Sequence, residues 1–113
     1  MVNPDNTVYL RHILDACRRA IKFTAGMNLE QFTADEKTIS AVVRELSVVG
    51  EAARKTTDDF RKKTPQIPWE RIFGMRNRLI HDYMGVQLPI LWQTVQEDIP
   101  ELQTIIEGIL ESV

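Results

Sequence analysis

An arginine and a histidine stand five residues apart in this 113-residue chain, at Arg76 and His81. Arginine carries a permanent planar charge, which can hold a phosphate group through two parallel hydrogen bonds. Histidine can take up or release a proton near neutral pH. The two side chains therefore form a minimal set for cleaving a phosphodiester bond without a metal ion, and we take Arg76 and His81 as the candidate catalytic residues.

This chemistry suits RNA, whose 2′-hydroxyl can attack the neighbouring phosphorus once a base removes its proton. His81 can act as that base or as the acid for the departing oxygen, while Arg76 can stabilise the charge on the non-bridging oxygens. We expect no cofactor and no metal, because the chain has only two histidines, with its acids scattered along the sequence. The sequence also lacks a glycine-rich phosphate-binding loop.

Three neighbours of this pair are candidates for supporting roles. On a helix, Asn77 and Arg78 come four and three residues before His81 and lie near it, so we expect them to support catalysis or bind RNA. Arg76 lies about 140° around the helix axis from His81, and Tyr83 aligns with Arg76. One helix thus spreads these groups over a wide arc, and two copies facing each other could close that arc into one cleft.

A simpler interpretation of the same residues stays open. Arg76 and Asn77 could be solvated, His81 could cap a helix end, and Tyr83 could pack on the core. Glu51 could reach the motif helix, or it could be an ordinary exposed acid or the partner of a basic residue.

Other residues that could do chemistry have simpler predicted roles. We expect His12 to face solvent, and Trp69 and Trp92 to belong to the core instead of stacking on bases. The single cysteine, Cys17, sits among apolar helix positions and is predicted to be a small buried residue.

The composition indicates one small globular domain over residues 1–113. With 43% hydrophobic residues the chain can bury a core, but a small one, so pairing with a second copy is expected. No run of eighteen apolar residues is present and the first residues do not look like a signal peptide. Together with the single cysteine, these features predict a cytoplasmic protein with no membrane association.

Charge is distributed unevenly along the chain, although the net charge is only −2. Residues 61–81 carry six cations against the single acid Glu70, whereas residues 82–113 contain acids and no lysine or arginine. This pattern is typical either of two solvated helix faces of opposite sign or of a local anion site.

Helical periodicity runs through the whole sequence. It predicts an all-α fold, a four- to five-helix up-and-down bundle that dimerises. We expect three long helices: one over about 4–25, one from a capping box at Thr33–Glu36 to about Thr56, and one from Trp69 to Gly85. Short helical stretches are expected at 28–32 and 57–63. Further apolar stripes lie at 88–95 and 102–109. Gly50 lies on the apolar stripe of the longest helix, where glycine is intrinsically costly, so we expect another helix to approach closely there.

The motif and its surroundings resemble the HEPN superfamily of small helical nucleases, and within it the HepT-like toxins. That family carries an Arg-x4-6-His signature, commonly with Asn after the Arg and Tyr two residues after the His. Arg76, Asn77, His81 and Tyr83 occupy these places. The likeness continues through most of the chain, in the segments 9–14, 23–27, 35–38, 49–53, 67–69, 74–78 and 85–86. In two places the chain departs from a common family form. Asp82 stands where many relatives have Gly, and Arg44-Glu45-Leu46-Ser47 replaces a more usual Arg-Asn-Leu-Glu type run.

The resemblance implies a function beyond what the residues alone predict. It implies a homodimer with the two motifs at the interface, and a metal-independent endoribonuclease in which Arg76 and His81 are catalytic. It also implies the toxin half of a type II/VII-like toxin–antitoxin pair, whose antitoxin is a minimal nucleotidyltransferase that in some pairs attaches AMP to the residue equivalent to Tyr83. The alternative is a non-catalytic nucleotide-binding or regulatory helical module that acts through such a nucleotidyltransferase partner.

Overall fold

A computed structural model describes residues 4–81 and 87–112 of the chain. Within these two ranges the fold is all-α, as predicted, and contains no β-strand. The helices are α1 (Pro4–Thr24), α2 (Leu29–Thr33), α3 (Glu36–Lys55), α4 (Asp58–Lys63), α5 (Trp69–His81), α6 (Leu88–Gln93) and α7 (Ile99–Glu111), with a wide helical turn over Thr94–Asp98 that joins α6 to α7. In the described ranges no helix is both long and apolar enough to cross a membrane.

The core forms where α1 packs against α3 and α7, and α5 packs against α3. The two long helices, α1 and α3, each carry an apolar stripe at helical spacing, and burying those stripes against each other is the main source of stability. The fully buried side chains include Leu10, Ile13, Phe32, Val42, Leu46, Val49, Val95, Ile99 and Ile106. Cys17 belongs to this core, as predicted, and burial raises the pKa of its thiol to about 12.

The capping box predicted at Thr33–Glu36 is wrong. Thr33 is the last residue of α2 and donates its hydroxyl to the Glu30 carbonyl of that helix. Asp35 is the residue that caps α3, accepting from the backbone N–H of Thr38, and this hydrogen bond is the main reason why the pKa of Asp35 is lowered. A reciprocal capping box does occur, but one helix earlier, between Asn28 and Gln31.

A carboxylate is buried between α1 and α3. Glu45 is only 3% exposed and accepts from Arg19 Nε at 2.7 Å and from Arg44 at 3.0 Å. Because both arginines reach solvent, the buried charge is compensated without burying the cations as well. This residue lies within the run 44–47, one of the two departures from the common family form.

The segment between α3 and α5 fixes where α5 begins. Thr57 caps α4 and also bonds Asn6 of α1, which ties this corner to the first helix. The Trp69 ring is buried, packs edge-on against Phe60, and donates its indole N–H to the Thr64 carbonyl at 3.1 Å. Trp69 is therefore a core residue, as predicted, and it anchors the first turn of α5.

The C-terminal stripes predicted at 88–95 and 102–109 lie on one continuous helical body. In its middle, the Ile99 N–H bonds the Thr94 carbonyl five residues back, which defines a π turn. Pro100 follows directly, and a proline ring inside a regular α-helix collides with the carbonyl four residues earlier. The wide turn accommodates the proline without ending the helix. Trp92, half-buried in this region, packs against Phe32.

Candidate active site

Helix α5 carries the candidate motif and continues to His81, so the helical spacing assumed for Arg76, Asn77 and His81 is confirmed. Its apolar residues Ile72, Met75 and Leu79 are buried and hold the helix against the core. This packing fixes the rotation of α5 and decides which face each motif residue occupies.

Arg76 lies directly over Gly50 of α3. A β-carbon built on Gly50 would stand 2.7 Å from Arg76 Cβ and 2.9 Å from Cγ, closer than real side chains approach. Gly50 is therefore needed for close packing between α3 and α5, as its place on the apolar stripe predicts. The contacting group is the aliphatic part of an arginine side chain, and the motif arginine runs across the α3 backbone.

The Arg76 guanidinium ends on a carboxylate of the next residue along α3. Its Nη2 donates to Glu51 Oε2 at 3.1 Å, and Arg54 donates to the other oxygen, Oε1, also at 3.1 Å. These two hydrogen bonds, that from Arg54 first, lower the pKa of Glu51. Of the alternatives for Glu51, the structure thus selects a partner of basic residues, one of which is in the motif. The Arg76 side chain stays 26% exposed, so a ligand in solvent can still reach it.

Asn77 and Arg78 are both exposed, but Arg78 lies on a different side of α5 from Arg76. Arg78 lines a groove of 330 Å³ between α5 and the C-terminal helical body, together with Arg71 and Asp98. Arg71 and Asp98 face each other across it at 3.7 Å. The two motif arginines therefore do not converge on one point within a single chain.

The remaining motif residues lie at or beyond the edge of the described structure. His81 is the final residue of α5, and its side-chain position is not described. Tyr83, Asp82 and the predicted helix end at Gly85 fall outside the described residues.

The basic segment 61–81 is not a uniform surface. Arg61 lies with its guanidinium 5.5 Å above the Phe73 ring and bonds Thr56 and Asp58. Arg61 thus holds α4 against α5, and its charged group is engaged in contacts within the fold. His12 is exposed, as expected, and its ring meets Tyr9 edge-on at 6.3 Å.

Among residues 4–81 and 87–112, no three His, Cys, Asp or Glu side chains come together in a cluster that could hold a metal ion. The Glu51 carboxylate instead pairs with the guanidinium groups of Arg54 and Arg76, an arrangement suited to orienting an arginine.

The described residues fold as an all-α structure that presents an oriented, partly exposed arginine on the same helix as the motif histidine. The family described as "Ribonuclease HepT-like" matches residues 13–109. The chain therefore belongs to the HepT-like ribonuclease family.

Individual relatives match over nearly their full lengths. A protein provisionally named an RNase in Caldanaerobacter subterraneus subsp. tengcongensis is 41% identical over 103 residues, covering 91% of this chain and 92% of the relative. A probable ribonuclease HepT of Thermococcus cleftensis is 43% identical, covering 84% and 86%. Another provisionally named RNase, from Methanocaldococcus jannaschii, is 36% identical, covering 95% and 98%. A comparison with solved structures finds no significant match.

The Gly50 contact gives a stability prediction. Gly50→Ala places a methyl group against Arg76 Cβ, which is fixed to the α5 backbone, so we expect a loss of about 1–3 kcal/mol in the free energy of unfolding from overpacking. Gly74→Ala on α5 is the matched control, because nothing lies within 4 Å of its β-carbon position. It should gain roughly 0.5–1 kcal/mol from helix propensity. Urea unfolding followed by circular dichroism measures both, and equal effects would contradict the packing contact.

Proposed function

We propose that this protein is a metal-independent endoribonuclease and the toxin of a toxin–antitoxin pair, with Arg76 and His81 as its catalytic residues. The observation that carries the proposal is the partly exposed side chain of Arg76, which Glu51 holds and which lies on the helix that ends at His81. Membership in the HepT-like ribonuclease family supports RNA as the substrate. The conclusion that these particular residues carry the chemistry rests on their types and spacing.

In the proposed reaction, a base removes the proton from an RNA 2′-hydroxyl and the 2′-oxygen forms a bond to phosphorus. The P–O5′ bond breaks, the departing oxygen takes a proton, and the products are a 2′,3′-cyclic phosphate and a free 5′-hydroxyl. His81 supplies the base or the acid. Arg76 neutralises the charge that builds on the non-bridging oxygens during the step, while Asn77 and Arg78 support RNA binding.

The proposed cleft forms between two copies of the chain. Within one chain Arg76 and Arg78 lie on different sides of α5, and Ile80, next to His81, is 54% exposed. Ile90 on α6 is also an exposed large apolar residue, at 46%. A second copy covering Ile80 would bury apolar surface beside the motif and bring two sets of motif residues together.

The proposed partner is a minimal-nucleotidyltransferase antitoxin, and Tyr83 is the proposed site of its action. AMP attached to the Tyr83 hydroxyl would place a negative phosphate and a bulky nucleotide seven residues from Arg76, which is about two turns in helical spacing. The phosphate would compete for the arginine and the nucleotide would obstruct RNA. One modification would then silence a shared cleft.

The catalytic assignment predicts that purified protein cleaves single-stranded RNA in excess EDTA. Arg76→Ala and His81→Ala should each lower the rate by about 10²-fold or more, because each removes a group used in the transition state. Cleavage of a labelled oligonucleotide and analysis of its cyclic phosphate ends measure this.

Arg18→Ala and His12→Ala are matched controls on α1, since both residues are exposed and lie on another helix. They should retain near wild-type rates. Cleavage that requires added Mg²⁺ would refute metal independence, and RNA binding without any cleavage would support the non-catalytic module instead.

The composite cleft predicts a dimer in solution. Light scattering should give about twice the 13.0 kDa chain mass. Ile80→Asp should shift the protein towards monomer and reduce cleavage, because a charge would be buried in the interface. Val8→Asp, at an apolar residue on α1 that is 45% exposed, should leave the mass unchanged. A wild-type monomer that cuts RNA would rule out the shared cleft.

The modification proposal predicts that Tyr83→Phe remains an active toxin but escapes an enzymatic antitoxin, because it keeps the ring and loses the acceptor oxygen. Intact mass spectrometry after co-expression should show an AMP-sized addition on the wild type and on the control Tyr9→Phe, and none on Tyr83→Phe. Neutralisation of Tyr83→Phe would mean that the partner acts by steric binding.

A further inference from the structure

The α3 segment beside Arg76 holds that side chain at both of its ends. Gly50 admits the aliphatic stem, with Cβ, Cγ and Cδ all within 3.0 Å of where a glycine β-carbon would stand. Glu51 then takes one of the two terminal nitrogens of the guanidinium at 3.1 Å. Consecutive residues on one helix thus set both the path of the arginine stem and the position of its charged group.

The Glu51 carboxylate is itself held. Arg54, one turn further along α3, binds Oε1 while Arg76 binds Oε2, so each oxygen has its own arginine. A carboxylate bound on both oxygens has little rotational freedom. In the described part of the chain Glu51 is the hydrogen-bond partner of the Arg76 guanidinium and engages its Nη2 atom, so the N–H groups on Nε and Nη1 remain as donors for a phosphate.

The strength of the ion pair also points to orientation as its role. The Glu51 side chain is 44% exposed, and pairs this exposed contribute little to folding stability. A flexible arginine in solvent would have to be ordered each time substrate binds. An arginine already aligned makes its contacts without that cost, which is how preorganised groups favour a transition state.

We propose that Glu51 is a positioning residue for RNA cleavage, which aligns the Arg76 guanidinium so that its remaining N–H donors meet the scissile phosphate. This inference rests on the proposed function of Arg76. It adds a carboxylate from α3, 25 residues earlier in the chain, to a site otherwise built from α5. Glu51 itself does not contact the substrate in this scheme.

A simple charge effect predicts the opposite outcome, which makes the proposal testable. Removing a negative charge beside a phosphate site should strengthen RNA binding by Coulomb attraction and leave the rate unchanged or higher. Loss of alignment should instead lower kcat, because it weakens a contact that the arginine makes to the phosphate mainly in the transition state.

The experiment compares Glu51→Gln with Glu107→Gln in steady-state cleavage of a fluorescent single-stranded RNA oligonucleotide. Glu107 is the matched control, because it also pairs with an arginine on another helix, Arg18, at 2.9 Å and similar exposure. Glu51→Gln should lower kcat about tenfold or more with KM unchanged or reduced, while Glu107→Gln should stay within about twofold of wild type. Thermal unfolding of both variants shows that each is folded.

A second comparison tests whether Glu51 acts through Arg76. In an Arg76→Lys background, Glu51→Gln should cause little further loss, because two residues acting through one contact are not additive. Full additivity would overturn the proposal, as would an unchanged or raised kcat in Glu51→Gln alone. If Arg76→Ala itself cleaves RNA normally, the proposed function fails first, and the two failures are thereby distinguished.

Discussion

The packing of α5 across α3 at Gly50 is the contact on which the candidate site depends. Without a β-carbon at this position the two helices approach until the stem of Arg76 lies on the α3 backbone. The same approach brings the guanidinium within reach of Glu51. A larger residue at position 50 would separate both the helices and the ion pair, so close packing and electrostatics at this site have one origin.

Much of the fold could be predicted because helix formation leaves a local signal. Apolar residues at helical spacing locate α1, α3 and α5, and Pro65 and Pro68 mark the break before α5. The burial of Cys17 and Trp69 follows from the same periodicity. Gly50 could also be recognised as a contact point, since a glycine on an apolar helix stripe is costly unless something packs there.

Other features are not local and could not be predicted in this way. The pairing of Glu51 with Arg76 joins residues 25 positions apart. The sequence offers a reach to the motif helix as one of several roles for Glu51, and local spacing does not choose between them. The N-cap of α3 is Asp35, and local sequence does not distinguish it from Thr33 because both are good capping residues. Arg76 and Arg78 diverge because they are two residues apart on a helix, but which of them faces Glu51 depends on how core packing rotates α5.

Helix α5 is attached to the rest of the fold at two points, and both candidate catalytic residues lie on it. Trp69 clamps one end, the Gly50 contact lies beneath Arg76 in its second half, and His81 stands about 7.5 Å beyond that contact along the axis. The spacing between the proposed catalytic pair is set by the peptide backbone and barely changes. Their placement against a substrate is set by α3. A shift of α5 at the Gly50 contact would therefore move both groups together, so a change that misaligns the arginine would also misalign the histidine.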